Sequence, residues 1–229
     1  MAKARMDGGG IGPKYKLLLL LWTLPALALV GGTVAWLTAQ TPKVENVFTV
    51  SKVDVLLEES RAEYTMIPGW TVDKDPAALV LPESEDCYLF LQVEQTGGGV
   101  TVGEKTCSFS DFLVYQLERS WLALDVAAYP GVYYKVIDHP DQKGVPHKIL
   151  TGGSYTDPEG TAYTWASDQL LTKPEVTRQM MEAVKGDLPT LSFTLYGVQL
   201  WKTNKPASGE GTDGQFTPVE AWRKVSPGM

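Results

Sequence analysis

The sequence predicts a mainly β fold, an antiparallel β-sandwich with a few inserted short helices. Three observations carry that expectation. Alternating or β-branched runs recur between Gly-, Pro- and Asp-rich turns, helical periodicity is confined to short segments, and the helices do not alternate regularly with the strands.

The chain opens with a different signal. Lys3, Arg5, Lys14 and Lys16 precede a continuous apolar stretch from Leu17 to Val30, and Gly31-Gly32-Thr33-Val34-Ala35 follows it. A basic head, an apolar middle and a small-residue exit are the parts of a secretory signal peptide. The run from Leu17 to Leu37 also reaches the about 20 residues a bilayer-spanning helix needs, so a retained anchor is the alternative. Pro25 interrupts that helix, Gly31 and Gly32 weaken its last turn, and Thr33 and Ala35 place small side chains at the two subsites a signal peptidase reads. Cleavage is expected after Ala35, with Ala39 as the second site. In either case the basic head holds the N-terminus on the cytoplasmic side. The organisation is then a signal peptide over 1–35, a free N-terminal tail or donor strand over 36–45, and a single β-sandwich domain over 46–229.

Within the domain, Val53, Val55 and Leu57 alternate with Asp54, Leu56 and Glu58, the period of a half-buried strand. Tyr88 to Val93 is a fuller apolar run and reads as a central strand. Gly97-Gly98-Gly99 then turns the chain ahead of Val100 and Val102. A phosphate cradle would need those glycines between a strand and a helix, with a Lys and a Ser or Thr behind them, and that context is absent. Ser110 can cap a helix whose apolar face is Leu113, Leu117, Trp121 and Leu124. Val132 to Ile137 is β-branched and aromatic, hence a strand. The Pro/Gly/Asp loop from His139 to Gly144 leads to a short strand over Lys148 to Leu150. Glu175 to Val184 reads as a short helix, and Thr190 to Trp201 as a strand in which Leu191, Phe193 and Leu195 alternate with Ser192, Thr194 and Tyr196. A polar Gly/Ser loop over Thr203 to Gln215 precedes a last helical turn or two, Pro218 to Val225, with Pro at its first position.

Charge and chemistry narrow the function. The whole chain has 20 basic and 27 acidic residues; without the leader's four basic residues and Asp7 the balance is 16 to 26, a net of about −10. Such a surface repels nucleic acid and anionic lipid, so no nucleic-acid partner is expected and the membrane is met only through the uncleaved leader. Cys87 and Cys107 either pair in an oxidising compartment or pack as small apolar residues in neighbouring strands; without a CxxC spacing they make no zinc or redox centre. The two histidines, His139 and His147, share a loop with Pro140 and Pro146 and lie outside any HExxH pattern. With Asp138 they are a conceivable ligand set, but loop histidines beside prolines read first as solvated polar residues. No GxSxG elbow occurs, and the acidic pairs Glu58-Glu59 and Glu85-Asp86 lack EF-hand spacing. No catalytic, cofactor-binding or metal site is therefore expected, and no enzyme.

Several segments taken in order resemble one family. Gly31-Gly32-Thr33-x-Ala35 is followed by Asn46-x-Phe48-Thr49-x-Ser51-x-Val53-x-Val55-x-Leu57-x-Glu59. Downstream stand Ile67-Pro68-Gly69, Lys74-Asp75-Pro76, Ser84-Glu85-Asp86-Cys87-Tyr88, Pro189-Thr190-Leu191-Ser192-Phe193, Val198-Gln199 and Glu220-Ala221-Trp222. The chain resembles the SipW-dependent signal-peptide proteins of Gram-positive bacteria, the group containing TasA and camelysin. Ser51 departs from it, since the family often has glycine after the Phe-Thr pair. The resemblance implies a jelly-roll-like sandwich, export through a dedicated signal peptidase, and residence in a biofilm matrix or on the cell surface, with a fibre-forming role. The metallopeptidase activity attached to camelysin-type members is not carried over, because this sequence has no recognisable zinc motif.

The residues supply a mechanism for such a fibre. Once freed, the tail carries Trp36, Leu37 and Val44 with no evident partner in its own chain. A strand edge exposes unpaired backbone groups, and a tail from one subunit can complete such an edge on the next. Head-to-tail contacts of that kind do not close and so build filaments. The expected partners are copies of the chain itself or a homologous matrix subunit, and the signal peptidase during export. A disordered tail is the plain alternative. The competing function is a secreted monomeric module that recognises polysaccharide or a partner protein through Trp70, Tyr155 and Trp165.

Overall fold

The four-stranded sheet at the centre is built on the longest apolar run in the domain. In the computed structural model, which describes residues 52–61, 64–202 and 214–226, β4 (Cys87–Thr96) lies between β16 (Thr190–Gln199) and β10 (Val132–Ile137). The short β9 (Leu122–Ala123) lies beyond β10, and every pairing is antiparallel. Ala35 and the tail residues Trp36, Leu37 and Val44 lie outside the described residues.

A second sheet pairs β3 (Ala77–Val80) with β1 (Val55–Glu58) and β11 (Pro146–Lys148), and a third pairs β15 (Gln169–Thr172) with β2 (Thr71–Asp73) and β7 (Leu113–Val114). Three two-stranded ribbons complete the β-structure: β5 (Thr101–Val102) with β6 (Lys105–Thr106), β8 (Gln116–Leu117) with β12 (Leu150–Thr151), and β13 (Gly153–Thr156) with β14 (Ala162–Trp165). The helices are short: α1 (Phe109–Phe112), α2 (Arg178–Ala183) and α3 (Pro218–Val225). The fold is mainly β and antiparallel, as the sequence predicts, and the described residues belong to one compact unit, Val50–Met229.

Both faces of β4 are buried, which explains why its apolar residues run on instead of alternating. Leu89, Leu91 and Val93 face Val80 and Ala78 of the second sheet, in a core that also holds Ile137, Leu191 and Phe193. Tyr88 and Phe90 face the other way, toward Val198, Leu200, Ala221 and Trp222. Phe90, Leu89, Leu91 and Trp222 are all under 2% exposed, and burying an apolar side chain of this size contributes about 1.5–3 kcal/mol.

The helix α3 forms where the sequence places it. Pro218 stands at its first position, and Thr217 and Glu220 make a reciprocal capping box. Glu220 also meets Lys202 at 2.9 Å. The backbone of Thr217, then Lys202, hold the Glu220 carboxyl down to about 2.

The expected helix over 110–124 is not realised. Helical structure stops at Phe112 under a cap from Ser108, not Ser110. Leu113, Leu117 and Leu122 then enter three different strands, paired with Thr172, Leu150 and Tyr134. Leu113 of β7 is buried, Leu117 of β8 is half-buried, and Trp121 is buried just before β9, whose own Leu122 is exposed, so the inward residues recur at the four-residue spacing of a helical face without a helix. Tertiary pairing outweighs the local pattern here.

The two cysteines are buried free thiols and not a bridge. Cys87 begins β4, whereas Cys107 donates its backbone N–H to Val100, beyond the other end of that strand. Nine residues of extended chain separate those ends, about 30 Å, where a disulfide needs Cα atoms within about 7 Å.

Candidate functional site

Register decides which backbone groups of β16 are used. Val93 donates its N–H to Gly131 at 2.8 Å, so the odd-numbered residues of β4 bond toward β10 and the even-numbered ones toward β16. Thr190 opposes Thr96 and Val198 opposes Tyr88, and Leu200 continues the ladder by donating to the Asp86 carbonyl at 2.7 Å. The N–H and C=O groups of Leu191, Phe193, Leu195, Gly197 and Gln199 therefore point away from the sheet. Among the described residues they make no backbone hydrogen bond, and none of those residues pairs with this ten-residue edge.

An apolar groove of about 460 Å³ opens at the Thr190 end of this edge, lined by Met66, Val72, Leu113, Leu170, Leu188 and Leu191. Leu188, at its lip, is 56% exposed. Lys74 forms part of the wall with its side chain only 8% exposed, and its Nζ lies 2.5 Å from Glu59. The rings of Tyr64 and Phe193 flank that ammonium at 5.1 and 5.4 Å, where their π faces favour a cation. The Tyr64 hydroxyl donates to Glu59 at 2.6 Å; burial, then Glu59, push its pKa well above the ordinary phenol value. With the charge internally compensated, the groove presents apolar side chains beside an unpaired backbone edge. That combination has the chemistry strand addition uses, in which backbone groups pair with an edge while an apolar side chain fills a groove.

Lys52 to Val55 lead the described chain in beside the same strand. A Cβ on Gly197 would sit 2.5 Å from Val53 Cγ1 and 2.9 Å from Val55 Cγ1, so glycine is what permits that close crossing.

Other residues singled out in the sequence fall as follows. His139 is exposed, with Nε2 3.6 Å from Asp138. His147 is half-buried and donates from Nε2 to the Gln142 carbonyl at 2.8 Å. Burial holds its imidazole below the ordinary value despite that bond. Among the described residues no group of three or more His, Cys, Asp or Glu is placed to hold a metal ion. In the acidic pairs, Glu59 is neutralised by Lys74 and Asp86 by Lys143 at 3.0 Å. Of the three aromatic residues expected on loops, Trp70 is 65% exposed, Tyr155 is half-buried and Trp165 is buried at 7%. Among the described residues no helix is long and apolar enough to cross a membrane.

Two features escaped the sequence reading. The Glu59, Tyr64 and Lys74 cluster is assembled from residues fifteen positions apart, and no local motif marks it. That β16 lies at the end of its sheet among the described residues is a property of its neighbours, invisible in its own alternating pattern. The chain matches no protein-family model, no curated protein and no solved structure.

Proposed function

We propose that this protein is a secreted structural subunit of an extracellular matrix or cell-surface fibre, assembled by donation of the tail 36–45 to a neighbouring subunit. The outer edge of β16, which pairs with no strand among the described residues, is the observation that carries the reading. That strand has ten residues, as does the tail, so each spans about 33 Å when extended. The groove at the Thr190 end fits an apolar side chain, and Trp36, Leu37 and Val44 are the apolar residues the tail brings. Their burial in a neighbour would add to the backbone pairing, as in other strand-addition contacts.

The resemblance set out above supplies the finer terms of the proposal: a jelly-roll topology, export by a dedicated signal peptidase, and cleavage after Ala35. The leader then acts as a catch, because an uncut tail stays in the membrane and cannot reach another subunit.

Electron microscopy of residues 36–229 beside a version beginning at Glu45 tests the assembly. Filaments are expected from the longer protein only. Leu188→Asp, at an exposed position on the groove lip, is expected to stop filament growth while the domain stays folded. Monomers from residues 36–229 at high concentration and after long incubation would overturn self-assembly by this chain.

A further inference from the structure

A second cleft, about 690 Å³, opens where the core-facing side of the four-stranded sheet comes to its end. Its volume lies within the roughly 300–1,000 Å³ of ligand clefts. Gln95 of β4 and Tyr133 of β10 line it together with Tyr115, Arg119 and Tyr155.

The Tyr115 and Tyr155 rings are held in place. Gln95 Nε2 donates to the Tyr115 hydroxyl at 2.6 Å, and Phe109 meets the Tyr115 ring edge-on, with centroids 6.2 Å apart and planes at 78°. The Tyr155 hydroxyl donates to Glu175 at 2.5 Å, while Lys173 Nζ lies 4.9 Å from the Tyr155 ring centroid. Hydrogen bonding to Glu175, first, and then burial raise the Tyr155 phenol to about 12, so it stays a neutral donor. Fixed rings lose little side-chain entropy when a ligand arrives.

The charges are largely spent inside the protein. Glu118 faces Lys135 at 3.4 Å and accepts from Ser120, and Lys135 in turn lies 4.7 Å from the Trp121 ring centroid. Arg119 is exposed and makes no ion pair among the described residues, leaving one free guanidinium fork at the rim. Neutral donors and acceptors, planar ring faces and two cations without an ion pair among the described residues, Arg119 at the rim and Lys173 against the Tyr155 ring, describe the site.

We propose that this cleft binds a segment of polysaccharide, with pyranose rings laid on Tyr115, Tyr133 and Tyr155 and hydroxyls bonded by Gln95, Gln116 and Arg119. A pyranose ring has an apolar C–H face and a rim of hydroxyls, which matches aromatic faces bordered by amide and guanidinium groups. The assignment uses neither the β16 edge nor the tail, and it stands or falls apart from fibre assembly. In a matrix it would give each subunit a hold on surrounding glycan.

Isothermal titration of the 229-residue chain in mild detergent tests it, with cellohexaose, chitohexaose and hexagalacturonate as probes. Saturable binding to at least one is expected, weakened about tenfold or more by Tyr155→Ala, a loss of about 1.4 kcal/mol. Gln95→Ala, at an exposed position, is expected to weaken it as well and keeps the test decisive if Tyr155→Ala does not fold. Leu188→Asp should leave it unchanged. Preference for hexagalacturonate that disappears in Arg119→Ala identifies an acidic glycan; equal binding of cellohexaose identifies a neutral one. Absence of saturable binding to all three probes, or binding indifferent to both the Tyr155 and Gln95 changes, overturns the proposal.

Discussion

Trp222 meets Tyr196 edge to face, with ring centroids 5.2 Å apart and planes at 84°. The same indole lies 5.3 Å from the Phe90 ring. One side chain from the C-terminal helix thus clamps the central strand β4 and the open-edged strand β16 together, and it is 1% exposed. Trp222→Ala is expected to cost about 3–5 kcal/mol, the range for deleting a buried aromatic side chain. Urea denaturation reads this as a lower midpoint; a loss below 1 kcal/mol would mean the helix is not integral to the core.

Gly97 and Gly103 both adopt left-handed backbone, with φ of +71° and +63°. A Cβ on Gly97 would collide with the Leu188 carbonyl, whereas one on Gly103 meets nothing within 4 Å. Gly103→Ala should cost only the conformational penalty, about 1–2 kcal/mol. Gly97→Ala should cost clearly more, and it should disturb the groove lip at Leu188. Equal midpoints for the two variants would show that the Leu188 turn yields without cost.

His147 predicts a pH dependence. Burial lowers its folded pKa below the ordinary 6.5, so the unfolded chain binds the proton more readily. Stability from this group is then present above pH 6.5 and declines as the pH falls below it, because stability rises with pH wherever the unfolded state holds more protons. Between pH 7.5 and 5.5 the protein should lose more stability than His147→Gln does. Parallel losses, measured by urea midpoints at both values, would remove His147 as the cause.

The thiols give a direct chemical test. Burial pushes Cys87 up to about 12, so it carries almost no thiolate at neutral pH. Neither Cys87 nor Cys107 should react with Ellman's reagent in the native protein, and two thiols per chain should appear in denaturant without reductant. One or no thiol released under those conditions would indicate oxidation of the pair.

The parts legible in the sequence are those set by local patterns that tertiary packing does not oppose. β4 and β16 read as strands from continuous and alternating apolar residues, and α3 read as a helical turn or two from Pro218 at its first position. The segment from Leu113 to Leu124 misled, because its spacing satisfies one helix face and several short strands equally. Hydrogen-bond partners at Leu150 and Thr172 settled the choice. The second cleft was hidden by the same reading, since Tyr115 and Arg119 sit where a helix was expected.

By itself the sequence determined the mainly β character, the central strands, the short terminal helix and the acidic net charge, since each rests on residue type and short-range periodicity. Only the tertiary structure decided that β16 has a strand partner on one side alone among the described residues, that Lys74 meets Glu59 between two rings, and that Cys87 and Cys107 sit too far apart to bridge. The physical reason is common to all three. Edge position, charge compensation and thiol distance depend on which segments become neighbours in space, and no residue's own neighbourhood in the chain carries that information.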